Sequence, residues 1–183
     1  TLKKINKNPK IKISFIPFYI KCILKILNEL PVFNTSMSND KNFLIQKQYY
    51  NIGIAINTER GLVVPVIKNV DKKSIKLISK EMTTLIYKAK EKRLSPEDMS
   101  GGCFTISSLG GIGGKFFTPI INPPEVAILG ISKFEIVPKL INNKFKARKI
   151  LPISLSYDHR VIDGADAAKF TKRFSEIISN PNF

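Results

Sequence analysis

The sequence predicts a single mixed α/β domain whose sheet looks mainly antiparallel. Three observations predict it. Apolar residues recur at helical spacing over 13–30, 74–92 and 165–179. Short apolar runs bounded by turn residues, read as strands, fill the intervals. No repeat or low-complexity linker divides the 183 residues, a length that supports one sizeable core.

Over 13–30, Phe15, Ile16, Ile20, Ile23, Leu24 and Leu27 form one stripe. Ser14 is available as N-cap, Pro17 is tolerable in the first turn, and Pro31 is the stop. Leu44-Ile45 and residues 50–56 look like two strands joined across a polar turn. The turn Thr58-Glu59-Arg60-Gly61 leads into a strand over 62–67. Pro65 has no N–H for a ladder, so that strand lies at an edge or is interrupted. The helix over 74–92 turns Ile75, Ile78, Met82, Leu85, Ile86 and Ala89 inward, and Ser95-Pro96-Glu97-Asp98 is a new start or turn. A strand over 103–109 opens into Gly110-Gly111-Ile112-Gly113-Gly114. Strands follow over 126–132, 134–137 and 145–155, with Asn142-Asn143 as the turn joining two of them. The closing helix covers 165–179.

Thirty Lys and Arg against 14 Asp and Glu give a net charge of +16. Such an excess fits an anionic partner. The lysines, however, are spread along the chain among isoleucines and asparagines, and no nucleic-acid motif accompanies them. No apolar run is long enough to span a bilayer; the nearest, 11–30, is broken by Lys21, Lys25 and Glu29. No signal peptide is evident. Cys22 and Cys103 sit in apolar surroundings without ligand spacing and read as buried free thiols of a reducing compartment. With one histidine and no cysteine cluster, no metal site is expected. The chain begins at Thr1 and not Met, as a piece of a longer protein would.

The lone histidine stands in Ser156-Tyr157-Asp158-His159-Arg160-Val161-Ile162-Asp163-Gly164, between a strand-like run and the closing helix. A basic-capable side chain at a strand end is where rigid scaffolds present chemistry. Any imidazole acid/base work falls to His159. Asp163 precedes the helix and reads as its N-cap, while Asp158 and Arg160 orient the turn by ion pairing. The glycine segment is no phosphate loop. Leu109 occupies the place of a Walker glycine, Phe116 follows Lys115, and the same Phe116 stands where a dinucleotide fingerprint needs its third glycine.

The string Asp-His-Arg-x-x-Asp-Gly resembles the active-site signature of the dihydrolipoamide acyltransferases, the E2 cores of 2-oxo-acid dehydrogenase complexes. Residues 105–114, 117–130, 28–34 and 61–66 resemble further segments of that family in the same order. The resemblance implies the fold of chloramphenicol acetyltransferase, an α/β, mixed sheet flanked by helices that forms trimers, with the active site between subunits. It implies that His159 is the general base, that Ser107 donates to the oxyanion, and that Asp163 holds the histidine loop. Ser108 is the alternative serine, because strand alternation puts only one of the two on the active face. The form Thr105-Ile106-Ser107-Ser108-Leu109-Gly110-Gly111 looks most like the acetyl-transferring member of the pyruvate complex.

By the same resemblance, coenzyme A is a substrate. The lipoyl group is carried on a lysine of an N-terminal domain outside this chain. Homotrimers assemble into a polyhedral core that meets the E1 and E3 enzymes, with no metal, nucleic acid or membrane involved. Residues 1–183 are expected to be the acyltransferase catalytic domain, lacking part of its N-terminal stretch and with a short C-terminal end. The expected location is the bacterial cytoplasm, or the mitochondrial matrix in a eukaryote. Three alternatives stand beside this reading: a succinyl or branched-chain transferring core, a stand-alone coenzyme A acetyltransferase, and a silent scaffold. The antibiotic-modifying branch typically has a second histidine where Asp158 stands, and an altered His159 or Ser107 would have marked a scaffold.

Overall fold

A computed structural model describes residues 14–180. Its centre is a six-stranded mixed sheet. Among the described residues the strands are β1 (Thr35–Met37), β2 (Leu44–Gln46), β3 (Ile52–Thr58), β4 (Gly61–Val63), β5 (Val66–Ile67), β6 (Phe104–Ser108), β7 (Ala127–Ile131), β8 (Glu135–Ile141), β9 (Lys144–Ile150) and β10 (Ile153–Tyr157). In the sheet they lie in the order β10-β7-β6-β3-β4, with β5 also paired to β3. The α-helices among the described residues are α1 (Ile16–Glu29), α2 (Ile75–Lys90) and α3 (Gly164–Ser179). The inner strands β3, β6 and β7 run parallel, and only the outer pairings are antiparallel. Antiparallel pairings thus outnumber parallel ones, as expected, but the centre of the sheet is parallel. Apolar alternation marks which face a strand buries but carries no information about its partner's direction.

One face of the sheet makes the core. Ile52 and Ile54 of β3, Phe104 and Ile106 of β6, and Ala127, Leu129 and Ile131 of β7 stand side by side in register and are buried. Against them pack Ile20, Ile23 and Leu27 of α1, Ile78 of α2, and Phe170 and Phe174 of α3. Phe170 stacks on Phe104 with ring centroids 5.4 Å apart and meets Phe33 at 4.7 Å. α1 packs against both other helices, and its end is tied to α3 by the fork from Arg173 to Glu29, at 2.7 and 2.8 Å.

The opposite face is built differently. Gly53 and Ala55, Thr105 and Ser107, Ile128 and Gly130, and Ser154 and Ser156 line it strand by strand. Most are small or polar, which lets chain pack flat on the sheet. A Cβ at Gly130 would stand 3.0 Å from the Phe117 ring and 3.2 Å from Pro119, so glycine is what lets residues 117–119 cross there.

Several expected elements move. Ile13 lies outside the described residues. α1 begins after Phe15, and Ser14 makes no cap. Leu44-Ile45 pairs with Thr35–Met37 and not with the strand that follows it. Pro65 does interrupt its strand, leaving β4 and β5 on β3. The run 145–155 breaks near Pro152 into β9, a hairpin arm paired with β8, and β10, which joins the main sheet. Asn142 and Asn143 form the hairpin turn with φ of 50° and 56°, the left-handed pair that matches strand twist. Ser74 caps α2 by accepting from the Leu77 N–H at 3.3 Å, and Ser95 with Asp98 forms a capping box.

Candidate active site

β10 ends at Tyr157 and the chain turns at once. The Asp158 N–H donates to the Val126 carbonyl at 2.8 Å, and the Asp158 carbonyl accepts from Val161 and Ile162, both at 2.9 Å. Ile162 is fully buried and anchors the turn in the core. The Arg160 guanidinium grips the Asp158 carboxylate, with Nε–Oδ1 at 2.9 Å and Nη2–Oδ2 at 2.6 Å. That contact holds the Asp158 carboxyl below the usual carboxylate range and braces the turn as expected. His159 is left exposed at the tip, its ring 5.5 Å from that of Tyr157.

Asp163 occupies the N-cap position of α3, with φ −83° and ψ 158°, and its carbonyl accepts from Asp166 and Ala167 at 3.0 Å. Its side chain makes no capping bond. The expected cap is therefore met by the backbone alone, and the carboxylate is exposed beside the His159 turn.

β6 places the serines on opposite sides. Ser107 is half-buried on the helix-free face, between Ala55 and Gly130. Ser108 faces the other way, into a depression shared with Phe15, Tyr19 and Lys133.

Ser107 and His159 of one chain are not brought together. Ser107 is level with Gly130 on β7, whereas Tyr157 is level with Ala127, and β10 continues away from Ser107. Three residues of rise and two strand spacings put the Tyr157 and Ser107 backbones roughly 14 Å apart, with His159 beyond. Reacting atoms must approach to about 3–3.5 Å.

Sequence reasoning missed a buried polar cluster between these two points. The Thr105 hydroxyl, two residues before Ser107 on the same face, donates to Glu125 Oε2 at 2.6 Å. Glu125 is 5% exposed, and its Oε1 has no partner. Burial pushes its carboxyl up to about 7, against the opposing pull of the Thr105 bond and the Lys47 charge. Lys47, itself buried, donates to the Gly102 carbonyl at 3.1 Å. A glutamate between Pro124 and an apolar strand carries no signal of burial; only the Thr105 pairing reveals it. Among the described residues no group of three His, Cys, Asp or Glu could hold a metal, and no helix is long and apolar enough to cross a membrane.

A helix-backed mixed sheet thus carries a histidine on the turn after one strand and a serine on the bare face of another. Residues 1–183 match the family model of the 2-oxoacid dehydrogenases acyltransferase (catalytic domain), and the chain belongs to that family. It is 50% identical over its full length to the dihydrolipoyllysine-residue acetyltransferase component of the pyruvate dehydrogenase complex of Buchnera aphidicola, covering 46% of that protein. The chain thus spans about half the length of the curated relatives it matches. Two solved structures superpose with a TM-score of 0.93, each over 97% of this chain and 73% of the other. One, 48% identical, is the cubic core of the pyruvate dehydrogenase multienzyme complex. The other, 47% identical, is the Azotobacter vinelandii dihydrolipoamide acetyltransferase, studied for the roles of a serine, a histidine and an asparagine in its catalytic mechanism. Chloramphenicol acetyltransferase shares the fold, with a TM-score of 0.61 over 96% of this chain and 81% of the other at 17% identity. The expected fold class stands.

Proposed function

We propose that this chain is the catalytic part of a dihydrolipoyl acetyltransferase, moving acetyl between dihydrolipoyl-lysine and coenzyme A in a pyruvate dehydrogenase complex. One observation carries the reading. The serine-to-histidine and histidine-to-asparagine separations of the Azotobacter protein equal those from Ser107 to His159 and from His159 to Asp163. The coincidence supports Ser107 over Ser108. It also sets an aspartate here where that protein has asparagine, and Asp163 is free to meet the histidine turn because it spends no bond on the helix.

The chemistry follows from the residue types. A thiol with pKa near ~8.5 is a few per cent thiolate at neutral pH, so a base must accept its proton. His159 takes that proton as the sulfur attacks the thioester carbonyl, and returns it to the departing sulfur, so the proton count closes. The Ser107 hydroxyl donates to the oxygen as it becomes negative. Because roughly 14 Å or more separates the two residues in one chain, His159 of one subunit works with Ser107 of a neighbour. A homotrimer supplies three such interfaces by cyclic symmetry. The larger core, the partner E1 and E3 enzymes, the lipoyl-bearing lysine outside this chain and a cytoplasmic location belong to the same proposal. Acyl transfer measured with acetyl, succinyl and branched-chain donors tests it. Preference for acetyl is expected, and preference for either other donor would reassign the complex.

A further inference from the structure

The Glu125 cluster lies between the two ends of the proposed site and has no part in the chemistry above. Its carboxyl is fastened to Thr105, on the strand and face that carry Ser107. Its backbone leads into Val126, whose carbonyl receives the Asp158 N–H from which the His159 turn hangs. Gly102 presses on the other carboxyl oxygen so closely that any Cβ there would collide with Oε1. Oε1 is left without a hydrogen-bond partner, a cost that an apolar side chain at this position would not carry. The carboxyl is thus seated by close contact and by its bond to Thr105, and its position is transmitted through a single peptide unit to the histidine turn.

We propose that Glu125 is a positioning residue for His159, fixing the Val126 carbonyl on which the histidine turn hangs by seating its carboxyl on Thr105 beneath Gly102. This rests on the reading of His159 as the base. Supporting it, the carboxyl changes its charge near neutrality, at about 7. The groups that face it are Thr105 from β6, Lys47 from the segment after β2, and Asn122 from its own loop, with the Cys103 thiol nearby. On ionisation Oε1 demands a donor. The Asn122 amide and the Lys47 ammonium, which already donates to the Gly102 carbonyl, are the donors at hand, and either must turn toward Oε1 to answer. The seat, and with it the turn, is therefore sensitive to the proton on Glu125.

His159 is the single histidine of residues 1–183, so 13C-histidine labelling with a His159→Ala control identifies its imidazole signal. In the assembled protein, Glu125→Ala is expected to shift that signal. It should also lower kcat for acetyl transfer between acetyl-coenzyme A and dihydrolipoamide by about ten- to a hundredfold at unchanged KM, the scale of a small misplacement of a catalytic group. Glu125→Gln keeps an acceptor for Thr105, so it should restore the signal and hold kcat within about threefold. It should also remove one ionisation from the wild-type pH profile of the signal. Thr105→Val, which removes only the donor, should reproduce Glu125→Ala and serves where that variant does not fold. A histidine signal that superimposes in wild type, Glu125→Ala and Thr105→Val would overturn the proposal, and so would a Glu125→Gln protein as impaired as Glu125→Ala. A wild-type protein that transfers no acetyl group, while its histidine signal follows Glu125, would refute the acyltransferase reading and leave the positioning link standing.

Discussion

Mixing two inactive variants tests whether the site is shared between chains. His159→Ala retains Ser107, and Ser107→Ala retains His159. Within one chain the register on β7 places these residues three strand positions and two strands apart before the His159 turn is added, roughly 14 Å at the least. No side-chain rotation closes that gap to bonding distance. In the proposed cyclic trimer each site would take its histidine from one subunit and its serine from the next. If equal amounts exchange at random, the histidine is intact in half of the sites and the serine independently in half. About a quarter of wild-type activity should therefore return from two proteins that are each nearly silent. The assay is subunit exchange under mild denaturation, then acetyl transfer, with native mass measurement counting the mixed trimers. Mixed trimers with no recovered activity would show that each chain builds its own site, and the argument from register would be wrong.

Three further outcomes are expected. His159→Ala in the full-length protein should abolish transfer with the fold intact, since imidazole acid/base help is worth about 10²–10⁴ in rate and residues 1–183 hold no second histidine; retention of more than about a tenth of kcat would remove His159 from that role. Ser107→Ala should lower kcat by roughly 10² with little change in KM for coenzyme A, whereas Ser108→Ala, on the opposite face, should have little effect; the reverse pattern would make Ser108 the donor. Glu125→Gln should gain stability over wild type as pH rises. An acid whose folded pKa is raised from 4.5 to about 7 binds its proton more tightly when folded, so wild-type stability falls as pH climbs through that window and the full penalty is present above it. The gap between the two proteins should widen by up to about 3 kcal/mol between about pH 4.5 and 8; denaturation curves showing the same gap at both ends would mean that Glu125 is ionised throughout.

Much of the architecture was legible because local chemistry encodes it. The stripes of α1, α2 and α3, the Asn142-Asn143 turn and the break at Pro65 each follow from residues within a few positions of one another. The Asp158–Arg160 brace and the exposed His159 likewise follow from the turn that holds them. What the sequence could not express was pairing between distant segments. Thr35–Met37 found Leu44–Gln46, and β6 found two parallel neighbours, because hydrogen bonds of the ladder are backbone bonds indifferent to side chain. For the same reason the run over 145–155 hid its division between a free hairpin and the main sheet. Glu125 shows the consequence for chemistry. As a residue type it is an ordinary surface acid, and only burial against Thr105 and Gly102 makes it a carboxyl that titrates near neutrality. The sequence by itself determined which side chains could carry acyl transfer and on which turn and strand they sit. The tertiary structure alone decided that Ser107 and His159 of one chain lie at opposite ends of the sheet, because strand register, a long-range property, sets their separation.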